Sequence, residues 1–185
     1  LVKIFIDAGH GGSDSGAVAN GLQEKGLTLD LGRRIENILV NEFDGVSVKM
    51  GRTDDYALSL SQRTNDANAW AADLFLSIHI NAGGGTGYED YRYNSLSVNS
   101  HTGRIQSTIH HAVMVQLQPF GVRDRGTKSA NFHVLRETNM SAVLTETLFI
   151  DTVADADLLK QVDFLHAVAT GHAEGVAQAF GLQRK

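Results

Sequence analysis

Near-continuous apolar runs recur at Val2 to Ile6, Val46 to Met50, Leu74 to Ile80 and Ala142 to Ile150, the pattern of strands covered on both faces. Weaker strand patterns lie at Tyr88 to Tyr93 and at Phe132 to Arg136, which brings the expected sheet to about six strands. Between these runs the period lengthens. Leu27, Leu31, Ile35, Ile38 and Leu39 recur at three- and four-residue steps and draw one apolar stripe along a helix. Ser59 followed by Gln62 is a capping-box pattern for a second helix, with Ala67, Trp70 and Ala71 turned to the core. A third helix is predicted to open after Ser100 and close before Pro119, and a fourth to occupy Phe164 to Phe180, with Gly181 as its stop.

The βαβα order predicts one α/β domain: a twisted, mostly parallel sheet of about six strands with helices on both faces, because parallel neighbours need long crossovers. A length of 185 residues suits that single domain. No internal repeat, low-complexity linker or composition break divides the chain.

Composition narrows the function. With 42% hydrophobic and 20% charged residues the chain is ordinary for a globular protein, and no apolar run is long enough to insert in a membrane. A net charge of -5, from 16 basic and 21 acidic residues, argues against nucleic acid as a partner. The absence of cysteine removes disulfides, thiolate nucleophiles and cysteine-based zinc sites, so any metal must be held by histidine and carboxylate. The chain enters directly on an apolar strand, with neither Met nor a signal peptide in view, and reads as an excised or processed domain.

Four side chains then stand out. His10, in Asp7-Ala8-Gly9-His10-Gly11-Gly12, follows one strand, and His79, in Ser77-Ile78-His79-Ile80-Asn81, closes another. Both imidazoles therefore emerge at carboxyl ends of strands, the edge where open α/β sheets carry their ligands. Glu24 falls in the loop leading to the first helix, on the side of His10. Glu146 sits late in an apolar strand, where a carboxylate is costly to bury without a partner. Each has an ordinary structural role open to it: a turn residue for His10, a first-turn acid for Glu24, a partner for Arg63 or Arg136 in the case of Glu146. Together, two neutral imidazoles and two carboxylates suit a zinc hydrolase, with an open position for water and a carboxylate free to handle protons.

Other features carry less. His110 and His111 point along different helical faces, and His166 and His172 are six residues apart, so all four read as surface or packing residues. The glycine-rich segment at His10 lacks the lysine of a phosphate-binding loop and the full dinucleotide fingerprint. No serine sits in a nucleophile-elbow pattern.

The ordered motifs Ile6-Asp7-Ala8-Gly9-His10-Gly11-Gly12, Gly21-Leu22-Gln23-Glu24-Lys25, Ser77-Ile78-His79-Ile80-Asn81-Ala82, Arg123-Asp124-Arg125-Gly126, Ser129-Ala130-Asn131-Phe132, Val134-Leu135-Arg136-Glu137-Thr138 and Val143-Leu144-Thr145-Glu146 resemble the zinc-dependent N-acetylmuramoyl-L-alanine amidases of the amidase-3 family. The resemblance spans essentially the whole chain. It implies that residues 1–185 are a zinc amidase catalytic domain acting on the amide between N-acetylmuramic acid and L-alanine in peptidoglycan. It further implies one Zn2+ on His10, Glu24 and His79, Glu146 as the catalytic carboxylate, and a secreted, extracellular or cell-wall location. Met50-Gly51-Arg52-Thr53 and Glu146-Thr147-Leu148-Phe149 depart from the family's usual runs, but leave the four chemical groups in place. Some relatives carry a helical insertion that blocks the zinc until a partner removes it. The segment from Asn81 to Thr145 is too compact for one, so no activator is expected and a monomer is anticipated.

Secondary candidates complete the reading. Asp7 either orients His10 or serves the strand end. Asn81 either bonds substrate or begins the turn into Gly83-Gly84-Gly85, and Asn131 is a second substrate-binding candidate. Arg123 and Arg125 either meet stem-peptide carboxylates or are solvated. Two alternatives stay open: a zinc peptidase cutting another amide of the stem, and a non-catalytic wall-binding module.

Overall fold

A computed structural model describes residues 1–185. In chain order its elements are β1 (Val2–Ala8), the small hairpin β2 (Val18–Ala19) and β3 (Leu22–Gln23), α1 (Glu24–Glu42), β4 (Phe43–Asp44), β5 (Val46–Met50), α2 (Leu60–Trp70), β6 (Leu74–Asn81) and β7 (Tyr88–Tyr93). There follow α3 (His101–Leu117), β8 (Asp124–Ala130), α4 (His133–Arg136), β9 (Ser141–Phe149), α5 (Val153–Leu159), α6 (Val162–Phe180) and β10 (Gln183–Arg184).

Six strands form the central sheet in the order β5-β1-β6-β9-β7-β8. All neighbours run parallel except β7, which is antiparallel to β9. The architecture matches the sequence expectation of a mostly parallel sheet with helices on both faces. Strand alternation divides the core. Ile4, Ile6, Leu76, Ile78 and Val143 join α1, α3 and α6 in a large cluster, while Phe5, Phe75, Ala142 and Leu144 meet α2 and α4 in a smaller one. The smaller face is the lightly covered one, and the side chains of His79 and Glu146 stand on it.

Caps set several boundaries. Ser59 and Gln62 make the reciprocal capping box of α2, and Ser100 Oγ accepts from the Gly103 N–H at the start of α3. Gly181 closes α6 in the left-handed region at φ 64°, which glycine enters without a Cβ clash.

Two expectations need correction. Phe132 to Arg136 is not a strand: His133–Arg136 is a helical turn, whose adjacent Val134 and Leu135 are both buried in the smaller cluster. The sixth strand is instead β8, Asp-Arg-Gly-Thr-Lys-Ser-Ala, an edge strand without a large apolar side chain and hence without a hydrophobic signal. Ala71 does not face the core; it is exposed and forms the left-handed cap of α2 at φ 57°.

Candidate active site

The His10 turn is shaped by glycine and clamped by arginine. His10 itself adopts φ 65°, followed by Gly11 at 136° and Gly12 at 58°, so a non-glycine residue is held in the left-handed region. Two buried arginines hold the turn's carbonyls. Arg52 donates to Ala8 O at 3.0 Å and Gly9 O at 3.1 Å, and Arg63 donates to Ala8 O and His10 O, each at 2.8 Å. Asp7 does not touch His10. It accepts from Arg63 Nη1 at 2.8 Å and from Ser77 Oγ at 2.7 Å, so its role is at the strand end, balancing a buried cation.

Asp14, unnoticed in the sequence, takes the outer position at His10. His10 Nδ1 lies 2.9 Å from Asp14 Oδ2 and its Nε2 lies 3.1 Å from Glu24 Oε1; once a cation replaces the Nε2 proton, donation from Nδ1 to Asp14 keeps Nε2 free to ligate. Four residues of spacing through a glycine turn was the only signal for this contact.

Glu24 is the first residue of α1, rather than part of the loop before it, and is buried. Its Oε1 accepts from the Ala17 N–H at 3.1 Å and its Oε2 from the Ile80 N–H at 2.9 Å, while the helix N-terminus adds a favourable dipole. His79 Nδ1 lies 3.3 Å from Oε2. Glu24 thus bridges the two imidazoles, whose rings meet edge to face at 5.1 Å between centroids.

These donors fit a divalent metal. One ligand atom from each of His10, Glu24 and His79 lies within 4.8 Å of the others, and tetrahedral bonds of the length zinc makes to nitrogen and oxygen separate ligand atoms by about 3.3 Å. The surrounding backbone leaves the space for them. A Cβ on Gly9 would stand 2.4 Å from His79 Cε1, and one on Gly16 would stand 2.7 Å from both Glu24 Oε1 and His10 Cδ2. Glu24 supplies the negative charge that the two imidazoles share. Its hydrogen bond raises His10 to about 9 against the opposing effect of burial. Burial pushes Glu24 upward, but the bonds to His10 and His79 outweigh it and hold that carboxyl well below the usual range.

Glu146 stands in register with His79 across β6 and β9, and the pairing shifts immediately afterwards, so that Asn81 opposes Phe149. Leu148 at φ 64° absorbs that bulge. Neither Arg63 nor Arg136 pairs with Glu146; Arg136 binds Glu137 and Asn131 instead. Glu146 Oε2 is buried with no hydrogen-bond partner. Burial is the main cause that raises its carboxyl to about 7, with the Glu24 and Glu89 charges adding to it and His79 opposing. A group in that range suits both taking and giving a proton.

Glu146 and His79 open on a cavity of about 340 Å³ walled by Leu60, Phe132, Val134 and Leu144. Asn131 also lines it, with its Oδ1 bonded to Arg136 at 2.7 Å. His133, which no sequence argument singled out, lines it too and has a buried, unpartnered Nε2. Asn81 lies apart from this cavity: its Nδ2 donates to Glu89 at 2.7 Å and its Oδ1 accepts from the Ala82 N–H at 3.2 Å. Arg123 is exposed, whereas Arg125 is bound to Glu89. Of the remaining histidines, His110 and His172 are buried packing residues and His111 and His166 are exposed.

Known proteins resemble this chain in sequence and fold. The model of the N-acetylmuramoyl-L-alanine amidase family matches residues 4–178. The sporulation-specific N-acetylmuramoyl-L-alanine amidase of Bacillus subtilis is 55% identical over 184 residues, covering 100% of this chain and 70% of its own. The endolysin of Bacillus phage SPP1 is 48% identical over 183 residues, covering 98% and 67%. Among solved structures, the catalytic domain of the amidase CwlV from Bacillus (Paenibacillus) polymyxa superposes with a TM-score of 0.91 at 33% identity, covering 99% of this chain and 100% of that one. Motifs, fold and comparisons agree: the chain belongs to the N-acetylmuramoyl-L-alanine amidase family.

Proposed function

We propose that residues 1–185 are a zinc amidase catalytic domain that hydrolyses the amide between the lactyl group of N-acetylmuramic acid and L-alanine in peptidoglycan, with His10, Glu24 and His79 holding one zinc ion and Glu146 moving the protons. The observation that carries this division of roles is the register of β6 and β9. It sets a buried, unpaired carboxylate oxygen beside one of three clustered ligands. When bound, zinc supplies a Lewis acid that brings the pKa of water from about 15.7 to about 7 and polarises a carbonyl.

The chain's residues do the rest. Glu146 takes a proton from the attacking water as the new C–O bond forms, then returns it to the amide nitrogen as the C–N bond breaks. The products are a lactyl carboxylate and a free L-alanine amine. Asp14 fixes the His10 tautomer, and Arg52 and Arg63 hold the strained turn. Asn131 contacts the substrate from the cavity wall. Asn81 contributes through Glu89, since its amide is committed to that carboxylate and to its own turn.

No helix is long and apolar enough to cross a membrane, and the family's substrate places the action at the cell wall. The β6 to β9 segment folds into β7, α3, β8 and α4, and the cavity beside Glu146 is open to solvent. Both support a site that works without an activator, and we propose that the domain acts as a monomer in an extracellular setting. Digestion of purified walls, with mass spectrometry of the products and metal analysis of the enzyme, tests the proposal. New L-alanine amino termini and about one zinc per chain are expected. New termini elsewhere in the stem would show a peptidase, and no new termini a binding module.

A further inference from the structure

Across the sheet from β6 to β8, the side chains on the lightly covered face change character in one direction. His79 on β6 stands in register with Glu146 on β9, and Glu146 with Glu89 on β7; adjacent strands lie about 4.8 Å apart. Glu89 is buried, only 3% exposed, so its charge needs partners. It has four. Asn81 Nδ2 and Tyr91 OH donate to Oε1 at 2.7 and 3.1 Å. Arg125 Nε donates to Oε2 at 3.0 Å, and Lys128 Nζ donates to the same oxygen.

Two cations therefore meet one carboxylate, and the group carries a net positive charge in a chain of net charge -5. Both cations reach solvent, with side chains 25% and 38% exposed. Arg125 is braced by Thr86 O at 3.3 Å and lies over the Phe149 ring at 4.8 Å. Its Nη2 makes no hydrogen bond within the protein, and Lys128 Nζ makes only the one to Glu89. Glu89 thus acts as a buried anchor that presents two cations with donors to spare.

Their position assigns them a side of the substrate. In the proposed reaction the carbonyl faces the His10, Glu24 and His79 end and the amide nitrogen faces Glu146, so the leaving peptide continues past Glu146 toward β7 and β8. The next residue's α-carbon lies about 3.8 Å beyond that of L-alanine, comparable with one strand spacing. Resting on that reading, we infer that Arg125 and Lys128 form a carboxylate subsite for the leaving peptide. It binds the free α-carboxylate of the residue after L-alanine in stems where that residue is a glutamate joined through its side chain. Arg125 Nη2 and Lys128 Nζ keep donors for such a carboxylate, and hydrogen bonds between charged partners are stronger than neutral ones.

The test compares two synthetic substrates, N-acetylmuramoyl-L-alanyl-D-glutamate with its side-chain carboxyl capped as a methylamide, and the same capped molecule with its α-carboxylate converted to the amide. For the zinc-loaded enzyme, kcat/KM is expected to be about tenfold higher on the carboxylate, mostly through KM, with the ratio shrinking as salt is added. Lys128→Met and Arg125→Gln should each move the ratio toward one, and Lys128→Arg should restore it. Metal content and circular dichroism confirm that each variant is folded. Equal kcat/KM on both substrates, or an unchanged ratio in both neutral variants, overturns the subsite while the amidase reading stands. Cleavage of neither substrate by an enzyme that still opens other wall amides overturns both.

Discussion

Glu146 and His79 are cross-strand partners at the carboxyl ends of β9 and β6, one register step before a bulge that carries Leu148 into the left-handed region. This pairing puts a proton-carrying carboxylate next to a candidate metal ligand without a loop between them. A site built on paired strands keeps its geometry better than one built on loops. The bulge then turns Phe149 under Arg125.

Replacing Glu146 with Gln keeps the shape and removes the proposed proton carrier. Glu146→Gln is expected to keep zinc at wild-type stoichiometry while kcat on wall substrate falls by about 10² to 10⁴. Atomic absorption together with product chromatography checks both halves. Wild-type turnover by this variant would remove Glu146 from the mechanism.

Asp14 Oδ2 lies 2.9 Å from His10 Nδ1, so in the proposed site it would act on the metal through that ring. Asp14→Ala should weaken zinc affinity by about 10- to 100-fold and leave the unfolding midpoint of the metal-free protein nearly unchanged, since the carboxylate is 61% exposed. Competition with a zinc chelator measures the first, urea titration the second. His10→Ala and His79→Ala should lose the ion altogether.

Gly9 packs against the ring of His79. A Cβ there would lie 2.4 Å from Cε1 and 2.7 Å from Nδ1, so Gly9→Ala must displace the imidazole. The expected outcome is a folded protein with impaired zinc binding, seen by calorimetric titration with zinc. Unaltered affinity would show that His79 is not held by this contact.

Arg63 and Asp7 form a buried pair, 3% and 2% exposed at their side chains. Arg63→Met leaves the Asp7 charge uncompensated and should cost about 3 to 5 kcal/mol. Arg63→Met combined with Asp7→Asn should cost less than the sum of the two single changes. Urea unfolding of the four proteins completes the cycle.

His110 ties α3 to the sheet, with Nδ1 2.8 Å from Asp90 Oδ2 and Nε2 2.8 Å from Asp124 Oδ1. Burial alone would lower its pKa, but the bonds and charges of the two aspartates outweigh it and raise the group above its ordinary 6.5. A raised folded pKa contributes stability that is complete below 6.5 and is lost as pH rises through the folded value. The difference in unfolding free energy between the wild type and His110→Gln, both zinc-loaded, should therefore shrink from pH 6 toward pH 9. A difference flat across that range would show that His110 gains no proton affinity on folding.

Much of the fold was legible because its causes are local. Apolar runs marked β1, β6 and β9, whose burial on both faces leaves few polar positions, and the partly buried edge strand β5. The Ser59 and Gln62 cap and the Gly181 stop were readable because their bonds join residues close in sequence. β8 was not readable: as a polar edge strand it is held by its neighbour's backbone, not by its own side chains. Phe132 to Arg136 misled for the complementary reason, since a short apolar stretch fits a strand or a helical turn equally well until its packing partners are known.

The site divides in the same way. The sequence by itself determined which groups are present: two imidazoles at strand ends, two acids, glycines around them and no cysteine. Only the tertiary structure decided how they meet. Glu24 reaches both histidines because α1 begins at that residue beneath the β6 edge, and Arg63 serves Asp7 rather than Glu146 because α2 crosses the β1 end of the sheet. Asp14, His133 and the cations around Glu89 emerge the same way, from contacts across turns and strands. Sequence patterns record what each segment must bury, whereas the partners of a charged side chain depend on distances that exist only after the segments have packed.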